Sequence, residues 1–557
     1  MSERELRGLA ASGGVAIGHA LVWHDAAPAA EEGDPLAALD AVAAELARGA
    51  DRYREAGLED EADILETNQL IVEDLSLRVE IEKLVSELGP AESLRQATAR
   101  HAELLAALPD PMLAARATDV RQLGVRAMRA LAGTTMPAPS EGSALIARDL
   151  GPADVADLRL EEGLVVGLAL ADGAATSHAA IMARAFGVPM AVGLGEDLFS
   201  IPDGETVIVD GEEGALVVAP STSRLLSAEA AVSRRRKLSK ERAAVRGLPA
   251  VTRDGRIVSL LCNASTATEV TAGLEAGAEG VGLLRTELAF LEASAWPTEE
   301  EHFAVLSPAL AFLRGRVATV RTLDFGADKT PPFLAGTTDR GLTLMLSHPA
   351  ELEQQLRAIV RAAKGIELRI LLPLVETAEQ VRSVRTLLGN PDVSVGAMIE
   401  TPSAARRAAE IAEESDFLSI GTNDLVQYTL DLDRERPVAS AATAAEPIVL
   451  RLIAQVVAAA HAAGKTVEVC GEAAGETAVA ALLIGLGVDE LSVAPARLDE
   501  LRETVRRLSF SEVSEMARQA VEASSARAAL ALAGGVLSAE LGHEAGQVVG
   551  GLGGSIT

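Results

Sequence analysis

The chain has 557 residues, more than one hydrophobic core usually organises, and this length predicts roughly two to four domains. Apolar residues make up 48% and charged residues 24%, as in ordinary globular proteins, whereas aromatic residues make up only 2%, so alanine and leucine must fill the cores. The net charge of −31 would repel nucleic-acid phosphates and anionic lipid, which argues against binding to either and favours a neutral or basic protein partner.

The sequence lacks the signatures of a secreted, membrane-bound or disulfide-rich protein. No apolar run reaches the roughly 20 residues that span a bilayer, and the start, MSERELRGLAASGG, lacks the apolar core of a signal peptide. We therefore expect a cytoplasmic location without membrane insertion. Cys262 and Cys470 lie far apart in the chain and form neither a disulfide framework nor a zinc motif, so each is expected to act as a single thiol.

Residues 28–132 are predicted to form a helical hairpin bundle. Apolar residues recur at helical spacing in LEDEADILETNQLIVEDLSLRVEIEKLVSEL, and breaks occur at Gly89-Pro90 and at 109–111. Acidic residues outnumber basic ones in this segment. Their excess indicates either a solvated helix surface or an acidic face on which a partner docks.

Residues 1–27 and 133–220 share a different pattern, which predicts one compact α/β module. Short apolar runs punctuated by glycine and proline recur in both parts, as in GGVAIGHALV, GLVVGLAL, ETVIVDG and GALVVAP. We expect the two parts to pair, which would make the helical bundle an insertion between them. The basic helical stretch that follows, residues 221–248, is predicted to be a solvated linker because the chain as a whole is acidic.

One histidine in this module stands in a position suited to chemistry. In GAATSHAAIMAR, Thr176 or Ser177 would cap a helix that begins near His178. The positive end of the helix dipole disfavours an imidazolium there, so the ring would stay neutral and nucleophilic, and the free N–H groups could receive phosphate oxygens. Gly173, Ala174 and Ala175 leave room for a bulky group. Taken alone, a single histidine beside an apolar segment is more often a structural residue.

Residues 249–535 are predicted to form a closed (β/α)₈ barrel of the TIM type. Eight apolar strand candidates alternate with helical stretches: RIVSLLCN, GVGLLR, VATVRTLD, LRILLPLVE, VSVGAMIE, FLSIGTND, TVEVCGE and ELSVAP. Strands separated by helices pair in parallel, and eight of them close a barrel. The glycine-rich residues 536–557 are predicted to be a flexible tail. The fold class is therefore multidomain α/β.

Polar residues follow the predicted barrel strands where the active site of such a barrel lies. They lie in Arg285-Thr286-Glu287, in the run from Arg321 to Asp324, at Glu400, in Asn423-Asp424 and in Cys470-Gly471-Glu472. We interpret them as a functional site rather than as salt bridges at the rim, because arginines match carboxylate and phosphate oxygens and acidic oxygens suit Mg²⁺ or Mn²⁺. The implied substrate is a small phosphorylated and carboxylated anion, whose phosphoryl group would need an acceptor such as His178.

The thiol at this mouth has two interpretations. Cys470 could hand a proton to a carbanion-like centre, because a cysteine is a weak acid with an ordinary pKa of about 8.5. It could also be buried filler at a strand end.

Seven segments occur in the order typical of one family: GLAASGGVAIG, TSHAAIMAR, GLLRTELAFLEASAWPTEEE, RTLDFGADK, GAMIETP, SIGTNDLVQYTLDLDR and VCGEAAGE. From Gly8 to about Pro495 the chain resembles enzyme I of the bacterial phosphoenolpyruvate-dependent sugar phosphotransferase system. The resemblance implies a swivelling phosphohistidine domain, an inserted helical subdomain that docks the carrier protein HPr, a helical linker and a phosphoenolpyruvate-binding barrel. It also implies a homodimer formed through the barrel.

The resemblance assigns roles to individual residues. His178 would accept the phosphoryl group of phosphoenolpyruvate and pass it to a histidine of HPr, and Cys470 would protonate the enolate to give pyruvate. The implied substrate-binding residues are Arg285, Arg321, Arg434, Asn423, Asp424, Lys329 and Arg340, the last two beside the phosphate. Glu400 and Asp424 would hold Mg²⁺, with Mn²⁺ as an alternative.

The chain departs from the family pattern at several positions. Ala174 and Ala175 stand where many members have glycine and a basic residue, Thr343 replaces an arginine, and Arg436 replaces an asparagine. These changes affect the expected phosphate contacts near His178 and the expected dimer contacts, but no residue assigned to phosphoryl transfer.

Other functions remain open at this level. The chain could be a regulatory paralogue, a nitrogen-related phosphotransferase, or a module that binds metabolite or HPr without turnover. A dikinase relative would need an ATP-grasp domain besides the segments quoted above.

Overall fold

A computed structural model describes the chain except for residues 1–2, 24–32, 56–58, 108–110, 135, 159, 161–162, 176, 292, 327–328, 390–391, 433–440 and 542–557. The chain divides into two compact units, Met1–Leu238 and Ser239–Thr557. Each unit has its own sheet and its own hydrophobic core. Within the described residues, no helix is long and apolar enough to cross a membrane.

An eight-stranded mixed sheet forms the centre of the first unit. Its strands are β1 (Arg4–Arg7), β2 (Leu9–Ser12), β3 (Val15–Val22), β4 (Ser143–Ala147), β5 (Val165–Leu170), β6 (Met190–Val192), β7 (Thr206–Asp210) and β8 (Ala215–Val218). They are arranged in the order β1-β8-β7-β3-β4-β5-β6-β2, with β3 to β6 parallel. Because β3 and β4 are neighbours in the sheet, the long segment between them leaves and re-enters the sheet at adjacent strands.

Five helices lie between β3 and β4 in the chain: α1 (Pro35–Glu55), α2 (Glu59–Glu73), α3 (Leu75–Leu88), α4 (Pro90–Ala106) and α5 (Pro111–Leu131). The break between α2 and α3 is stabilised by Asp74, whose carboxylate accepts hydrogen bonds from the N–H groups of Ser76 and Leu77. Gly89 ends α3 with a φ of 79°, and Pro90 occupies the first turn of α4. Glycine and proline predicted the break at Gly89-Pro90 but not the one at Asp74, and the predicted break at 109–111 lies mostly outside the described residues.

The two faces of the sheet contribute to different cores. On β4, Leu145 and Ala147 pack with helix residues such as Leu46 of α1, whereas Ala144 and Ile146 belong to a second cluster on the other face. This alternation follows from the two-residue period of a strand. The remaining helices of the unit are α6 (Pro152–Leu158), α7 (His178–Ala185) and α8 (Thr222–Val245), and α8 runs across the boundary between the units.

The second unit is a closed barrel of eight parallel strands, which confirms the predicted fold class. The strands are β9 (Ser259–Ala264), β10 (Gly280–Leu284), β11 (Val317–Arg321), β12 (Glu367–Leu372), β13 (Ser394–Ile399), β14 (Phe417–Ile420), β15 (Thr466–Val469) and β16 (Glu490–Val493). β16 pairs with β9 from Glu490↔Ser259 to Val493↔Cys262, and this pairing closes the ring. Six of these strands lie within the segments predicted from sequence, whereas β9 extends one residue past its segment to Ala264 and β12 begins one residue before its segment at Glu367.

In the described part of the second unit, thirteen α-helices accompany the barrel strands. They are α9 (Ala267–Glu275), α10 (Glu299–Ala311), α11 (Gly341–Ser347), α12 (Pro349–Ala362), α13 (Ala378–Leu388), α14 (Pro402–Arg406), α15 (Ala408–Glu414), α16 (Thr422–Leu430), α17 (Pro447–Ala462), α18 (Thr477–Gly485), α19 (Leu498–Arg507), α20 (Phe510–Val521) and α21 (Ala526–Leu541). Three of them, α9, α10 and α13, begin with capping boxes. Because α21 reaches Leu541, the predicted flexible tail does not begin at residue 536, and residues 542–557 lie outside the described part of the chain.

Candidate active site

The carboxyl ends of the barrel strands carry most of the residues predicted for the site. Arg285 follows β10, Arg321 ends β11, Glu400 follows β13 and Cys470 follows β15. Asn423 and Asp424 lie in the first turn of α16, directly after β14. A parallel barrel brings these strand ends to one face, so the side chains share a mouth.

Two cations at the mouth are held by one buried carboxylate. Glu287 is fully buried, and its Oε1 lies 2.5 Å from Nη2 of Arg321 and 2.9 Å from Nζ of Lys329. Oδ2 of Asp324 lies 3.4 Å from Nη1 of Arg321. Burial alone would raise the pKa of Glu287, but Arg321 and Lys329 lower it to about 2. The carboxylate is therefore charged at neutral pH and fixes both cations before any ligand arrives.

A second group at the mouth is rich in carboxylates. Arg340 donates a hydrogen bond from Nη1 to Oδ1 of Asp424 over 2.9 Å and also lies 3.6 Å from Asp324. Glu400 is buried beside them and accepts a hydrogen bond from the N–H of Leu374 over 3.0 Å. Burial, together with the charges of Asp324 and Asp424, raises the pKa of Glu400 to about 8. A third negative charge beside Asp324 and Asp424 is thus unfavourable, and Arg321 and Arg340 offset this repulsion only in part.

These carboxylates fit a hard divalent cation. Oδ1 of Asp324 is buried and has no hydrogen-bond partner within the described residues, and the raised pKa of Glu400 shows that added positive charge would be favourable. The donors are oxygens, which suit Mg²⁺ or Mn²⁺ better than zinc. Among the described residues, however, no group of three potential ligands is close enough to hold a metal ion by itself. The protein would therefore supply only part of a coordination shell.

A cavity of about 360 Å³ opens at the ends of β9, β10, β15 and β16, and its lining does not include the ionic residues described above. Its lining includes Arg285, Asn263 and Glu472. The N–H of Glu472 donates to Oδ1 of Asn423 over 3.0 Å, which ties the start of α16 to the loop after β15. The cavity is large enough for a three-carbon phosphate and presents a half-buried guanidinium to it.

Cys470 lies inside the barrel just below this mouth. The residue is 2% exposed and packs in an apolar cluster with Leu283, Leu371, Met398 and Phe417. Ser419 donates a hydrogen bond from Oγ to Sγ of Cys470 over 3.2 Å. Burial, with the nearby Glu468, raises the pKa of the thiol to about 12, so the sulfur carries its proton at neutral pH.

His178 is the first residue of α7 in the other unit. Ser177 is the N-cap, and its hydroxyl accepts a hydrogen bond from the N–H of Ala180 over 3.3 Å. The guanidinium of Arg184 donates to the carbonyl of Ala175 over 2.9 Å and braces the loop before the helix. Thr176, the other predicted cap, lies outside the described residues, as does the side chain of His178.

The structure brings some of the predicted site residues together and extends the set. Arg321, Lys329, Arg340, Glu400 and Asp424 are linked through shared ionic partners. Arg434 and Arg436 lie outside the described residues.

The sequence placed Glu287 and Asp324 at the barrel mouth, each three positions after the end of a strand, but did not include either among the assigned site residues. Their position after β10 and β11 was the signal that could have identified them.

A closed parallel barrel with this charged mouth, and a separate α/β unit with a histidine at a helix start, define a class of multidomain α/β enzymes. The chain matches three family models: "PEP-utilising enzyme, N-terminal" over residues 7–116, "PEP-utilising enzyme, mobile domain" over 139–214 and "PEP-utilising enzyme, PEP-binding domain" over 239–510. It belongs to the PEP-utilising enzyme family that includes the phosphoenolpyruvate-protein phosphotransferases.

Relatives of two kinds are similar to this chain. The phosphoenolpyruvate-protein phosphotransferase of Streptomyces coelicolor is 39% identical across 97% of this chain and 100% of its own length. That of Staphylococcus carnosus is 33% identical across 93% and 96%. The multiphosphoryl transfer protein of Xanthomonas campestris is 38% identical across 85% of this chain, but the chain spans only 58% of that relative's length.

Proposed function

We propose that the chain transfers the phosphoryl group of phosphoenolpyruvate to His178 and then to a histidine of the carrier protein HPr, releasing pyruvate. The observation that carries this proposal is the barrel mouth, where buried Glu287 fixes Arg321 and Lys329. Beside them lie Asp324, Glu400 and Asp424, whose mutual repulsion Arg321 and Arg340 offset only in part. Such a mouth suits a small, highly charged anion that arrives with a divalent cation. Membership of the family supports phosphoenolpyruvate as that anion.

The cations of the mouth would bind and orient the substrate. We assign Arg285, Arg321, Lys329, Arg340 and Arg434 to its phosphate and carboxylate oxygens. Asn423 and Asp424 would complete the binding site. Because Glu287 and Asp324 hold Arg321 in place, little reorganisation would accompany binding.

Glu400 and Asp424 would hold Mg²⁺, with Mn²⁺ as an alternative. The bound cation would neutralise charge on the substrate oxygens as the phosphoryl group leaves. Their burial near Asp324 supports this assignment, because the repulsion among these carboxylates would then be offset.

His178 and Cys470 would carry out the two bond-making steps. The neutral imidazole at the start of α7 would attack phosphorus, and the helix N-terminus would favour both the neutral ring and the phosphate oxygens. The thiol of Cys470, which stays protonated, would donate its proton to the enolate carbon to give pyruvate.

Two interactions with other chains belong to the same proposal. The helical segment 28–132 would dock HPr through its acidic surface, and the barrel segment 249–535 would form a homodimer. The net charge of the chain supports a partner with a neutral or basic surface.

Labelling with [³²P]phosphoenolpyruvate and Mg²⁺ tests the proposal. We expect acid-labile label on the wild type and on the control His19→Ala, whose histidine is exposed on β3, and no label on His178→Ala. Addition of HPr should then move the label to the carrier. An unlabelled wild type would indicate a regulatory or binding protein, and label retained on His178→Ala would exclude the assigned acceptor.

A further inference from the structure

A second acidic side chain lies inside the barrel beneath the thiol. Glu468 is 1% exposed and lies on β15, two positions before Cys470, which follows the end of that strand. Because side chains alternate along a strand, both point to the barrel interior. Within the part of the chain that the structure describes, neither carboxyl oxygen of Glu468 makes a hydrogen bond of normal geometry, although the hydroxyls of Ser419 and Ser492 lie close enough to interact with it. A buried carboxyl without a partner is costly and needs a physical explanation.

The nearest cation does not serve as the counter-ion of Glu468. Arg369 of β12 donates to both carboxylate oxygens of Glu490, over 2.7 and 3.3 Å. Glu490 is the register partner of Glu468 on β16. Burial and the charge of Glu490 raise the pKa of Glu468 well above its usual range, and Arg369, Ser419 and Ser492 offset this only in part. These surroundings favour the protonated form of Glu468.

Ser419 connects this buried acid to the thiol. Ser419 of β14 is the register partner of Glu468, so the two inward side chains are neighbours across the strand pair. Its hydroxyl, which is also fully buried, donates to Sγ of Cys470 over 3.2 Å. A group that can both accept and donate a proton thus lies between a protonated carboxyl and the sulfur.

We propose that Glu468 stores a proton and returns it to Cys470 through Ser419. This inference rests on the proposed function, in which Cys470 protonates the enolate carbon. When the S–H bond breaks and the C–H bond forms, a thiolate remains. The hydroxyl of Ser419 then gives its proton to the sulfur while its oxygen takes the carboxyl proton of Glu468. Water returns a proton to the Glu468 carboxylate, so each pyruvate consumes one solvent proton.

A double-isotope exchange experiment separates the relay from the rest of the reaction. The full chain is incubated in D₂O with Mg²⁺, unlabelled phosphoenolpyruvate and [¹³C₃]pyruvate, and mass spectrometry measures ¹³C and deuterium in phosphoenolpyruvate. Carbon exchange needs reversible phosphoryl transfer to His178 and a proton that Cys470 gives and retakes, but it does not need that proton to exchange with solvent. Deuterium enters only when the thiol exchanges with solvent. Their ratio comes from one reaction, so loss of folded protein does not change it.

Matched variants make the test specific. Glu468→Gln keeps the shape of the side chain without an acidic proton, and Ser419→Ala removes the connecting hydroxyl. Ser492→Ala removes a second fully buried serine that also faces Glu468 but donates instead to Asn263, over 2.7 Å. We expect the deuterium-to-carbon ratio to fall about tenfold or more in the first two and to stay at the wild-type value in the third. Glu468→Asp, which keeps an acid, should restore part of the ratio.

The outcomes distinguish a failure of the proposed phosphoryl transfer from a failure of the proton relay alone. If wild-type protein shows no carbon exchange, the proposed function fails and the relay fails with it. If carbon exchange is normal and Ser419→Ala or Glu468→Gln keeps the wild-type ratio, the relay alone is wrong. An equal fall in Ser492→Ala would also overturn it, because that result indicates a general effect on the barrel interior.

Discussion

Arg321 and Glu287 form an ion pair inside the mouth of the barrel, with Nη2 and Oε1 2.5 Å apart and side chains that are only 6% and 0% exposed. The pair joins the end of β11 to the residues after β10, two segments that contact each other only because the strands are neighbours. Lys329 shares the same oxygen atom. The positive charges that face the substrate are thus oriented by the protein itself.

Glu287→Gln should destabilise the barrel by about 3 kcal/mol, because removing one partner of a buried pair leaves the other charge poorly compensated. Chemical denaturation measures this loss. A double-mutant cycle with Arg321→Gln should show a coupling energy of about 1 kcal/mol or more. As a control, Glu300→Gln breaks an exposed pair with Arg361 and should leave the stability almost unchanged. Additive effects of the two buried substitutions would contradict the importance of the pair.

Glu400→Gln should stabilise the metal-free protein, because it removes one of three mutually repelling carboxylates while the amide oxygen can still accept from Leu374. Mg²⁺ should raise the melting temperature of the wild type and should have little effect on that of the variant. At a Mg²⁺ concentration one hundred times the dissociation constant, the free energy of unfolding of the wild type should rise by about 2.7 kcal/mol. Calorimetry at matched ionic strength measures both. A variant that keeps the full Mg²⁺ response would remove Glu400 from the set of ligands.

Cys470→Ala should slow pyruvate formation about a hundredfold, the lower range for loss of a positioned proton donor. The barrel should lose only about 1 kcal/mol, since one sulfur atom leaves the cluster around Phe417. Cys262→Ala is the matched control, because that thiol is also fully buried but lies in β9 within the main core. Equal rates in the two variants would end the proton-donor assignment.

His302 should make the barrel unit less stable in mild acid. Burial lowers the pKa of this histidine to about 4, against the opposing charge of Glu301, and its Nδ1 has no hydrogen-bond partner within the described residues. In the unfolded chain the imidazole of His302 is protonated below about pH 6.5, whereas in the folded state it is protonated only below about pH 4. The contribution to stability is therefore intact above pH 6.5 and falls by up to about 3 kcal/mol as the pH drops through this window.

Urea denaturation between pH 7.5 and pH 4.5 checks this expectation. His302→Phe, which can keep the edge contact with the ring of Phe290, should lose less stability than the wild type over that range. The exposed His19→Gln should behave like the wild type. An unchanged pH dependence in His302→Phe would show that other groups are responsible.

The sequence alone was sufficient for the fold of the second unit and for many of its site residues. Eight apolar runs that alternate with helical patterns define parallel strands, and parallel strands place whatever follows them at one face. Arg321, Glu400, Asp424 and Cys470 could therefore be assigned to one mouth before their contacts were known. Residue type then indicated the chemistry, because guanidinium groups and carboxylates have few alternative uses at a barrel mouth.

The tertiary structure decided which of these groups act on one another. The sequence did not determine whether Thr176 or Ser177 caps the helix that begins at His178, and the structure identifies Ser177 as the N-cap. They did not reveal that Glu287 holds two cations, or that strand register brings Glu468 beside Ser419 beneath the thiol. Periodicity reports which face of its own strand a side chain occupies. Its partner, its burial and hence its charge depend on residues from distant parts of the chain, which only the closed barrel brings together.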